Sequence, residues 1–421
     1  METKLIELIY SQDTLFLLMS GALVMWMAAG FAMLESGMVR TKSVAEILTK
    51  NIALYSIACI MFMLVGYNIM YGGGGSSAWL PSVSFFLGLD NSLAQVVESG
   101  GDLGHSKHVD FFFQMVFVAT TMSIISGSVA ERMKLWSFLV FSVVMTAVIY
   151  PVEGYWMWGG GILKQIGFLD FAGSGVVHLA GASAALAGVM LLGPRKGKYM
   201  KKPDGKLQPM AIPGSNMTFA TLGTMILWLG WFGFNGGSQL SITSVESANA
   251  VSLIFVNTNM SAVGGCMAAL ILSRLWFGKT DLTMGLNGIL AGLVAITAGP
   301  LTPTPGLATF IGITGGMIVV VSIILVDRVA NLDDPVGAIS VHGIVGIWGL
   351  LAVVMSDPAA SLLVQLKGIA LIFAWTFGVS YLTWFVLKKI MGIRLSELEE
   401  YEGADISEIG LEAYPEFTQK L

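Results

Sequence analysis

Apolar stretches of about 20 residues, separated by short polar connections, follow one another along almost the whole chain. An α-helix of about 20 apolar residues crosses the roughly 30 Å hydrocarbon layer of a membrane, whereas a transmembrane strand needs only about ten alternating residues. We therefore predict an all-α integral membrane protein with eleven transmembrane helices, centred on residues 14–34, 50–70, 110–130, 136–158, 171–192, 218–238, 248–272, 283–300, 306–326, 337–356 and 361–389.

Composition agrees with a membrane protein. Hydrophobic residues make up 55% of the 421 residues and charged residues only 12%, against about 25% charged residues in soluble domains. The net charge of -5 is too small and too dispersed to indicate a nucleic-acid partner. Cys59 and Cys266 both lie in apolar runs, which favours packing roles over a disulfide. The first apolar run lacks a small-residue cleavage site, so we predict a mature helix and not a signal peptide.

The distribution of Lys and Arg predicts the orientation in the cell membrane. All but four of the 22 basic residues fall in one set of alternate segments, the exceptions being Lys4, Lys107, Lys164 and Lys367. Basic segments stay in the cytoplasm. The N-terminus is therefore predicted outside and the C-terminus, with its acidic tail, inside. The predicted domains are a membrane domain, residues 1–390, and a cytoplasmic regulatory tail, residues 391–421.

Two segments of matching length end in buried histidines, Asp170 to His178 and Asp334 to His342. Each begins with an Asp suited to capping a helix, and each His follows eight residues later, roughly 12 Å along an α-helix. The spans that carry them, the fifth and the tenth, are predicted to be antiparallel. Spans 1–5 and 6–10 therefore resemble an inverted repeat followed by a long eleventh helix, with a midplane site at the repeat interface. We expect the ring nitrogens within about 2.7–3.2 Å of each other, although a single buried His is more often a packing residue.

A second group of residues lies toward the predicted outer face. Phe117, Trp158 and Ser238 combine two aromatic faces with a hydroxyl, which suits a small cation. Phe234, one turn inward of Ser238, is placed to stack on Phe117 and close the path. Taken singly, each aromatic residue is more often a core or interfacial residue. In the long outer loop, residues 71–108, His105 and His108 have a spacing that could hold a metal, but a plain surface loop is favoured, and we predict neither a metal nor a cofactor.

Several motifs resemble the ammonium transporter family (Amt/Mep/Rh), on its Amt side. They occur in order over nearly the whole chain and are the segments 30–40, 111–117, 127–132, 158–161, 170–178, 230–238 and 334–343. The resemblance implies the eleven-helix Amt fold and a homotrimer in the lipid membrane, with one pore per subunit. It also implies an ammonium site at Phe117, Trp158 and Ser238, supported by Asp170. Phe117 and Phe234 would form the gate, and His178 and His342 the pore-lining pair.

The tail sequence around Tyr401 to Tyr414 resembles the Amt tail that packs under neighbouring subunits and couples to PII-type signalling proteins. Two departures from the family pattern stand out. Ile409 replaces a common histidine, and Glu153 adds an acid near the expected outer vestibule, with no role that we can assign.

The predicted function is ammonium transport, not enzyme catalysis. Ammonium would be recruited outside, deprotonated at the gate and conducted as ammonia, with or without its proton, because a bare charge at the bilayer centre costs several kcal/mol or more. The alternative is an ammonium sensor of the same fold. The chain ends about thirty residues after the last span, which leaves no room for a fused output domain. A membrane enzyme with a histidine metal site is a weaker third possibility, because no carboxylate-rich cluster accompanies the two histidines.

Overall fold

The computed structural model describes residues 2–72 and 77–417. Residues 73–76 of the predicted outer loop and residues 418–421 of the acidic tail, including Lys420, lie outside this part of the chain. One of the basic residues counted for the predicted orientation, Lys420, is therefore not described by the structure.

Helices make up most of the described chain. The α-helices are α1 (Glu2–Met38), α2 (Val44–Met61), α3 (Tyr67–Tyr71), α4 (Leu93–Glu98), α5 (Lys107–Ser128), α6 (Leu135–Val144), α7 (Tyr150–Met157), α8 (Ile162–Gln165), α9 (Ala180–Leu192), α10 (Met217–Gly237), α11 (Val245–Phe277), α12 (Leu282–Thr297), α13 (Pro305–Arg328), α14 (Val345–Ala352), α15 (Leu362–Ile390) and α16 (Glu397–Glu402). Wider π-helical segments cover Phe62–Gly66, Met145–Ile149, Ser174–Leu179, Ile339–Ile344 and Asp405–Ile409. Short 3-10 turns cover Thr41–Ser43, Val353–Met355 and Pro415–Phe417.

Within the described residues, nine helices are long and apolar enough to cross a membrane, and two shorter apolar helices cover Leu282–Thr297 and Ile339–Met355. Some of the long spans join several elements: α2, a π segment and α3 form one span, Thr41–Tyr71, and α6 to α8 form another, Leu135–Gln165. The predicted helical, multi-pass membrane architecture is confirmed at this level.

The ends of α1 differ from the prediction. The sequence predicted a helix centred on residues 14–34, whereas α1 runs from Glu2 to Met38. The first turns contain Lys4 and Glu7, which are good helix formers although they are too polar for the hydrocarbon layer. Hydropathy marks the apolar part of such a helix, and the backbone continues beyond it.

Glycines allow several helices to cross at backbone contact. A Cβ on Gly223 of α10 would lie 2.2 Å from the backbone nitrogen of Leu34 on α1, and a Cβ on Gly37 of α1 would lie 2.4 Å from the backbone nitrogen of Ala220 on α10. A Cβ on Gly316 of α13 would lie 2.2 Å from the carbonyl oxygen of Gly265 on α11. No side chain fits at these crossings, so the helices are held with their backbones touching.

Two small elements lie in the connections between spans. Strands β1 (Tyr199–Lys201) and β2 (Leu207–Pro209) form an antiparallel hairpin in the basic connection between α9 and α10, where no strand was predicted. In the loop 71–108, α4 begins with a capping box in which Ser92 and Gln95 bond each other's backbone amides. The described part of that loop is therefore partly helical.

Candidate functional site

Three of the predicted site residues meet at one cavity of about 220 Å³, which we call the aromatic cavity. Phe117 comes from α5, Trp158 directly follows α7, and Ser238 directly follows α10. The other lining residues are Tyr71, Asp110, Phe113, Gln114, Met157, Lys164, Phe171 and Leu240. Residues far apart in the sequence thus present aromatic surfaces and a hydroxyl to one space.

Hydrogen bonds fix the two polar groups of the predicted site. The indole Nε1 of Trp158 donates to the backbone carbonyl of Asp170 at 3.1 Å, which fixes the plane of the ring. The Ser238 hydroxyl donates to the carbonyl of Phe234 at 2.8 Å. Because its hydrogen is used in that bond, the Ser238 oxygen has lone pairs left to accept an N–H from a bound cation.

Asp110 adds a negative charge to the cavity, and sequence reasoning missed it. Its carboxylate accepts a hydrogen bond from the Tyr67 hydroxyl at 2.7 Å. A signal existed in the sequence: Asp110 precedes Phe117 by seven residues, or two turns of α5, and therefore lies on the same helix face. Lys164 also lines the cavity, so the lining contains one charge of each sign.

Two stacked phenyl rings adjoin the aromatic cavity, which Phe117 lines. The ring centroids of Phe117 and Phe234 are 4.1 Å apart, with an interplanar angle of 26°. Both side chains are buried. Trp158 meets Phe117 edge to face at 6.1 Å. The stacking of Phe234 on Phe117 that was predicted from their positions in the sequence is confirmed.

The two histidines lie beyond this pair of rings. Their Nδ1 atoms are 3.1 Å apart, within the predicted hydrogen-bonding range, so this distance is confirmed. A bond between two such nitrogens requires one donor and one acceptor, which means that the pair shares one Nδ1 proton. Both side chains are buried. The Nε2 atom of His178 has no hydrogen-bond partner in the described part of the chain.

Trp231 is the aromatic neighbour that the sequence analysis missed. It stacks on His178 with centroids 5.0 Å apart, while Phe234 stacks on the same ring at 5.5 Å. The Trp231 indole donates to the Thr297 hydroxyl at 2.8 Å, which fixes its orientation. Trp231 precedes Phe234 by three residues on α10, so helical spacing could have identified it. The histidine pair thus has two aromatic neighbours on α10, Trp231 and Phe234.

The two aspartates act as helix caps, as predicted. Asp170 accepts the amide N–H groups of Gly173, Gly175 and Val176 at 3.1, 2.9 and 2.9 Å. Asp334 accepts the amide of Ile339 at 2.7 Å and the Ser128 hydroxyl at 3.0 Å. The Asp170 carboxylate faces helix amides and does not line the aromatic cavity. Asp170 contacts the predicted cation site through its backbone carbonyl, which accepts the hydrogen bond from the Trp158 indole.

The predicted position of each histidine along its helix is wrong. A helix that started at each Asp would put each His roughly 12 Å along it, but the helical segments begin at Ser174 and Ala338. Gly173 and Gly337 have positive φ angles of 108° and 77°, which an α-helix cannot contain. Each His is therefore only the fifth helical residue. Both lie in π-helical turns, which the apolar pattern did not predict.

The two histidine-bearing helices run antiparallel, as expected. A Cβ on Gly343 would lie 3.2 Å from the Ala182 side chain, whereas a Cβ on Gly349 would lie 3.0 Å from the Ser174 hydroxyl. As the residue number rises on one helix, it falls on the other. Two helices that enter in opposite directions therefore bring His178 and His342 together.

Glu153, the acid expected near the outer vestibule, is turned into the protein and not into the aromatic cavity. The side chain is completely buried on α7, and it does not line the aromatic cavity. Neither carboxylate oxygen has a hydrogen-bond partner in the described residues. Helix packing turned the residue inward, a direction that a one-residue comparison with a family pattern cannot give.

A buried ion-pair network joins the connections between helices. Arg195 donates to Asp333 through Nε and Nη2, both at 2.9 Å, and to Glu131 through Nη1 at 2.6 Å. Burial alone would raise the pKa of Asp333, but the hydrogen bonds and charge of Arg195, with the charge of Arg132, lower it to about 2. This network connects the loops that follow α5, α9 and α13.

The C-terminal segment, residues 391–417, packs on the same side of the molecule as this network. Asp405 accepts the amide of Glu46 and Glu408 accepts the amide of Leu135, both at 2.8 Å. Glu400 pairs with Arg394 at 2.7 Å. Burial raises the pKa of Asp405 even though backbone amides stabilise its charge. The segment thus caps the first turns of α2 and α6.

The fold and the site define a class: a multi-pass membrane protein with a row of aromatic rings that leads from a cavity to a buried histidine pair. Comparison with known proteins identifies the family. A model of the Ammonium Transporter Family matches residues 15–414. The chain belongs to this family.

Individual relatives agree with this assignment. The chain is 41% identical to Ammonium transporter Amt2 of Archaeoglobus fulgidus, over 96% of this chain and 88% of that one. It is 35% identical to Ammonium transporter Amt1 of Haloferax mediterranei, over 96% and 79%. Among solved structures, a "Sensor Amt Protein" matches with a TM-score of 0.87 and 33% identity, over 96% of this chain and 99% of that chain. Candida albicans Mep2 matches with a TM-score of 0.78 and 26% identity, over 92% and 87%.

Proposed function

We propose that this protein is an ammonium transporter that binds NH4+ in the aromatic cavity, removes its proton and conducts NH3 past the histidine pair. One observation carries the proposal: Trp158, Phe117, Phe234, His178 and His342 form an unbroken row of rings, with successive centroids 6.1, 4.1, 5.5 and 5.0 Å apart. Such a row connects a cation site to a buried proton-exchanging pair.

Each part of the row has a distinct chemical role in this proposal. The π faces of Phe117 and Trp158 each attract a cation by about 0.5–2 kcal/mol, and Ser238 accepts one of its N–H groups. Asp110 makes the cavity more favourable to positive charge. The stacked phenyl rings of Phe117 and Phe234 then exclude the hydrated ion, while neutral ammonia passes when the rings turn aside.

The histidine pair suits the passage of ammonia and of its proton. In the shared Nδ1 bond one ring donates and the other accepts, so a proton can move between them without a change in position of either ring. Two imidazolium ions at this separation in an apolar interior would repel strongly, so the pair carries at most one extra proton at a time. Asp170 supports the site through the Trp158 indole and the cap before His178.

The same proposal includes the organisation of the whole protein. The nine long and two shorter apolar helices of the described residues support eleven transmembrane spans, and the antiparallel Asp-capped histidine segments support an inverted repeat. We assign the aromatic cavity to the outside and the C-terminal segment to the cytoplasm, because the basic residues concentrate on the latter side. The functional unit is a homotrimer in the lipid membrane. Residues 391–421 form a regulatory tail for a PII-type partner, with residues 1–390 as the membrane domain.

The test uses purified protein in liposomes, with ammonium-evoked current and methylammonium uptake as the two measurements. We expect His178→Ala to abolish transport or to change its selectivity, because the row then loses a proton-exchanging group. His105→Ala is the matched control, since His105 lies in the outer loop and lines neither the cavity nor the row. Normal current and uptake in His178→Ala would overturn the mechanism, and no uptake by the unaltered protein would overturn the function.

A second candidate function is ammonium sensing. It is favoured by the similarity to a solved "Sensor Amt Protein", of which this chain covers 99%. A sensor would bind ammonium at the aromatic cavity without net flux through the row. Saturable binding by the purified protein together with absent uptake in liposomes would favour sensing over transport.

A further inference from the structure

Glu35 lies on the far side of the histidine pair from the aromatic cavity, and the transport mechanism above does not use it. The residue belongs to the segment 30–40, which the sequence analysis used only for family resemblance. Its side chain is 1% exposed. A carboxylate buried among transmembrane helices is costly, so its retention there calls for a chemical reason.

A small cavity connects His342 with Glu35. Its volume is about 20 Å³, which exceeds the roughly 10–15 Å³ that one water molecule needs. Besides His342 and Glu35, Ser123 and Asn287 contribute polar groups to its lining. A water with three or four polar neighbours is well accommodated in such a site. The cavity thus provides a one-water connection between an imidazole and a carboxylate.

Only one nitrogen of His342 is left for a partner outside the histidine pair. The Nδ1 of His342 is used in the bond to His178. Its remaining nitrogen, Nε2, is the one free to exchange a proton with a neighbour in the cavity. His178 offers its own Nε2 on the other side of the pair. The pair therefore has two ends, and Glu35 lies at one of them.

The surroundings of Glu35 leave its carboxylate able to accept a proton. Ser126 on α5 donates to one oxygen, and Asn51 on α2 donates to the other at 2.9 Å. Both donors are neutral. No Lys or Arg in the described residues forms an ion pair with Glu35, and the neighbouring Lys50 is paired with Glu46 at 2.9 Å. Among the described residues, no ion pair with Lys or Arg thus holds Glu35 in its ionised form.

We propose that Glu35 accepts the proton that the histidine pair receives from ammonium. This inference rests on the proposed transport function and adds the exit of the proton to it. The Nε2–H bond of a protonated His342 breaks and its proton passes to the water in the cavity. That water gives a different proton to a Glu35 oxygen, which becomes a neutral carboxylic acid. Loss of this proton to the cytoplasm restores the carboxylate.

The proposal predicts uncoupling of charge from ammonia. Without an acceptor, the proton on the histidine pair can only return to the outside, so net charge movement stops. Neutral ammonia can still pass down its gradient. In Glu35→Gln we expect the ammonium-evoked current to fall at least about tenfold, while the flux, measured as uptake of labelled methylammonium, falls less than about twofold. The liposome lumen should become more alkaline than with the unaltered protein, because ammonia then enters without its proton. Glu35→Asp should recover part of the current.

The ratio of current to flux separates this role from a structural one. Glu35 also bridges α1 to α2 and α5 through Asn51 and Ser126, and loss of that bridge alone would reduce current and flux together. Glu153→Gln is the matched control, because Glu153 is an equally buried glutamate that does not line the aromatic cavity or the cavity at Glu35. It should leave the ratio unchanged.

Each outcome bears on one proposal. A normal ratio in Glu35→Gln, or an equal fall in current and flux, would overturn the role of Glu35. Ammonia flux without current in the unaltered protein would overturn it too but would leave transport intact. Neither flux nor current in the unaltered protein would overturn the transport function itself. If Glu35→Gln fails to fold, Glu35→Asp and Ser126→Ala, which displaces the carboxylate by removing a donor, must still lower the ratio.

Discussion

Replacing Trp158 by Leu should weaken ammonium capture and leave the fold intact. Trp158 lines the aromatic cavity, meets Phe117 edge to face at 6.1 Å and is only partly buried. Leucine fills part of the space but has no π face. A cation–π contact contributes about 0.5–2 kcal/mol, which corresponds to a half-saturating ammonium concentration about 2- to 30-fold higher, at about 1.4 kcal/mol for each factor of ten.

The assay is the ammonium concentration dependence of uptake and current in liposomes of fixed protein content. Trp158→Phe is the informative control, because phenylalanine retains an aromatic face but loses the N–H that donates to the Asp170 carbonyl. We expect the Phe variant to lie between the Leu variant and the unaltered protein. Gel filtration and thermal unfolding of all three proteins in detergent show whether the fold has changed.

The result that refutes the reasoning is an unchanged half-saturation in Trp158→Leu with a normal fold. A Phe variant as weak as the Leu variant would have a different meaning: the hydrogen bond to Asp170, and not the π face, would then be what the site requires.

Two further predictions concern the opposite side of the molecule. Asp333→Asn should lower the midpoint of thermal unfolding far more than Asp327→Asn. Breaking the buried ion pair of Asp333 costs about 3–5 kcal/mol, whereas the more exposed pair of Asp327 and Lys198 is worth about 0–1 kcal/mol. Equal midpoints in the two variants would contradict this. The pKa of Asp333 is about 2 in the folded protein, against 3.8 for a free carboxyl. The ion pair therefore stabilises the fold fully above about pH 4, and about 2 kcal/mol of that stabilisation is lost as the pH falls toward 2. Asp333→Asn should lack this acid sensitivity. Truncation after Arg394 should leave a folded, assembled membrane domain with altered flux, because the residues that line the row all precede it; loss of assembly on gel filtration would show that the tail has a structural role instead.

Hydropathy predicted the apolar spans because burial in lipid and burial in the protein demand the same residue types. It could not predict where helices widen or end. Ser174–Leu179 and Ile339–Ile344 are π-helical, and this local geometry depends on contacts with other helices and not on the apolar pattern. The same limitation explains the underestimated length of α1, whose first turns are polar and helical.

Helical spacing and the order of the motifs predicted part of the candidate site. The spacing of Asp170 to His178 and of Asp334 to His342 correctly predicted the caps and the close approach of the two rings. Asp110, Trp231 and Glu35 were missed although each lies at helical spacing from a recognised residue or within a quoted motif. Which face of a helix turns toward the interior is decided by packing against several other helices, as Glu153 illustrates.

The contact of helix backbones at Gly223 and Gly316 has a consequence for the speed of this protein. Helices that touch without intervening side chains pack at the closest possible distance, and we expect them to form a scaffold that does not rock during each transport event. The proposed passage of ammonia then needs only a rotation of the Phe117 and Phe234 rings. Ring rotations are far faster than domain motions, so we expect turnover to be limited by the handling of protons and not by the scaffold, with a temperature dependence shallower than that of a carrier that must change its overall shape.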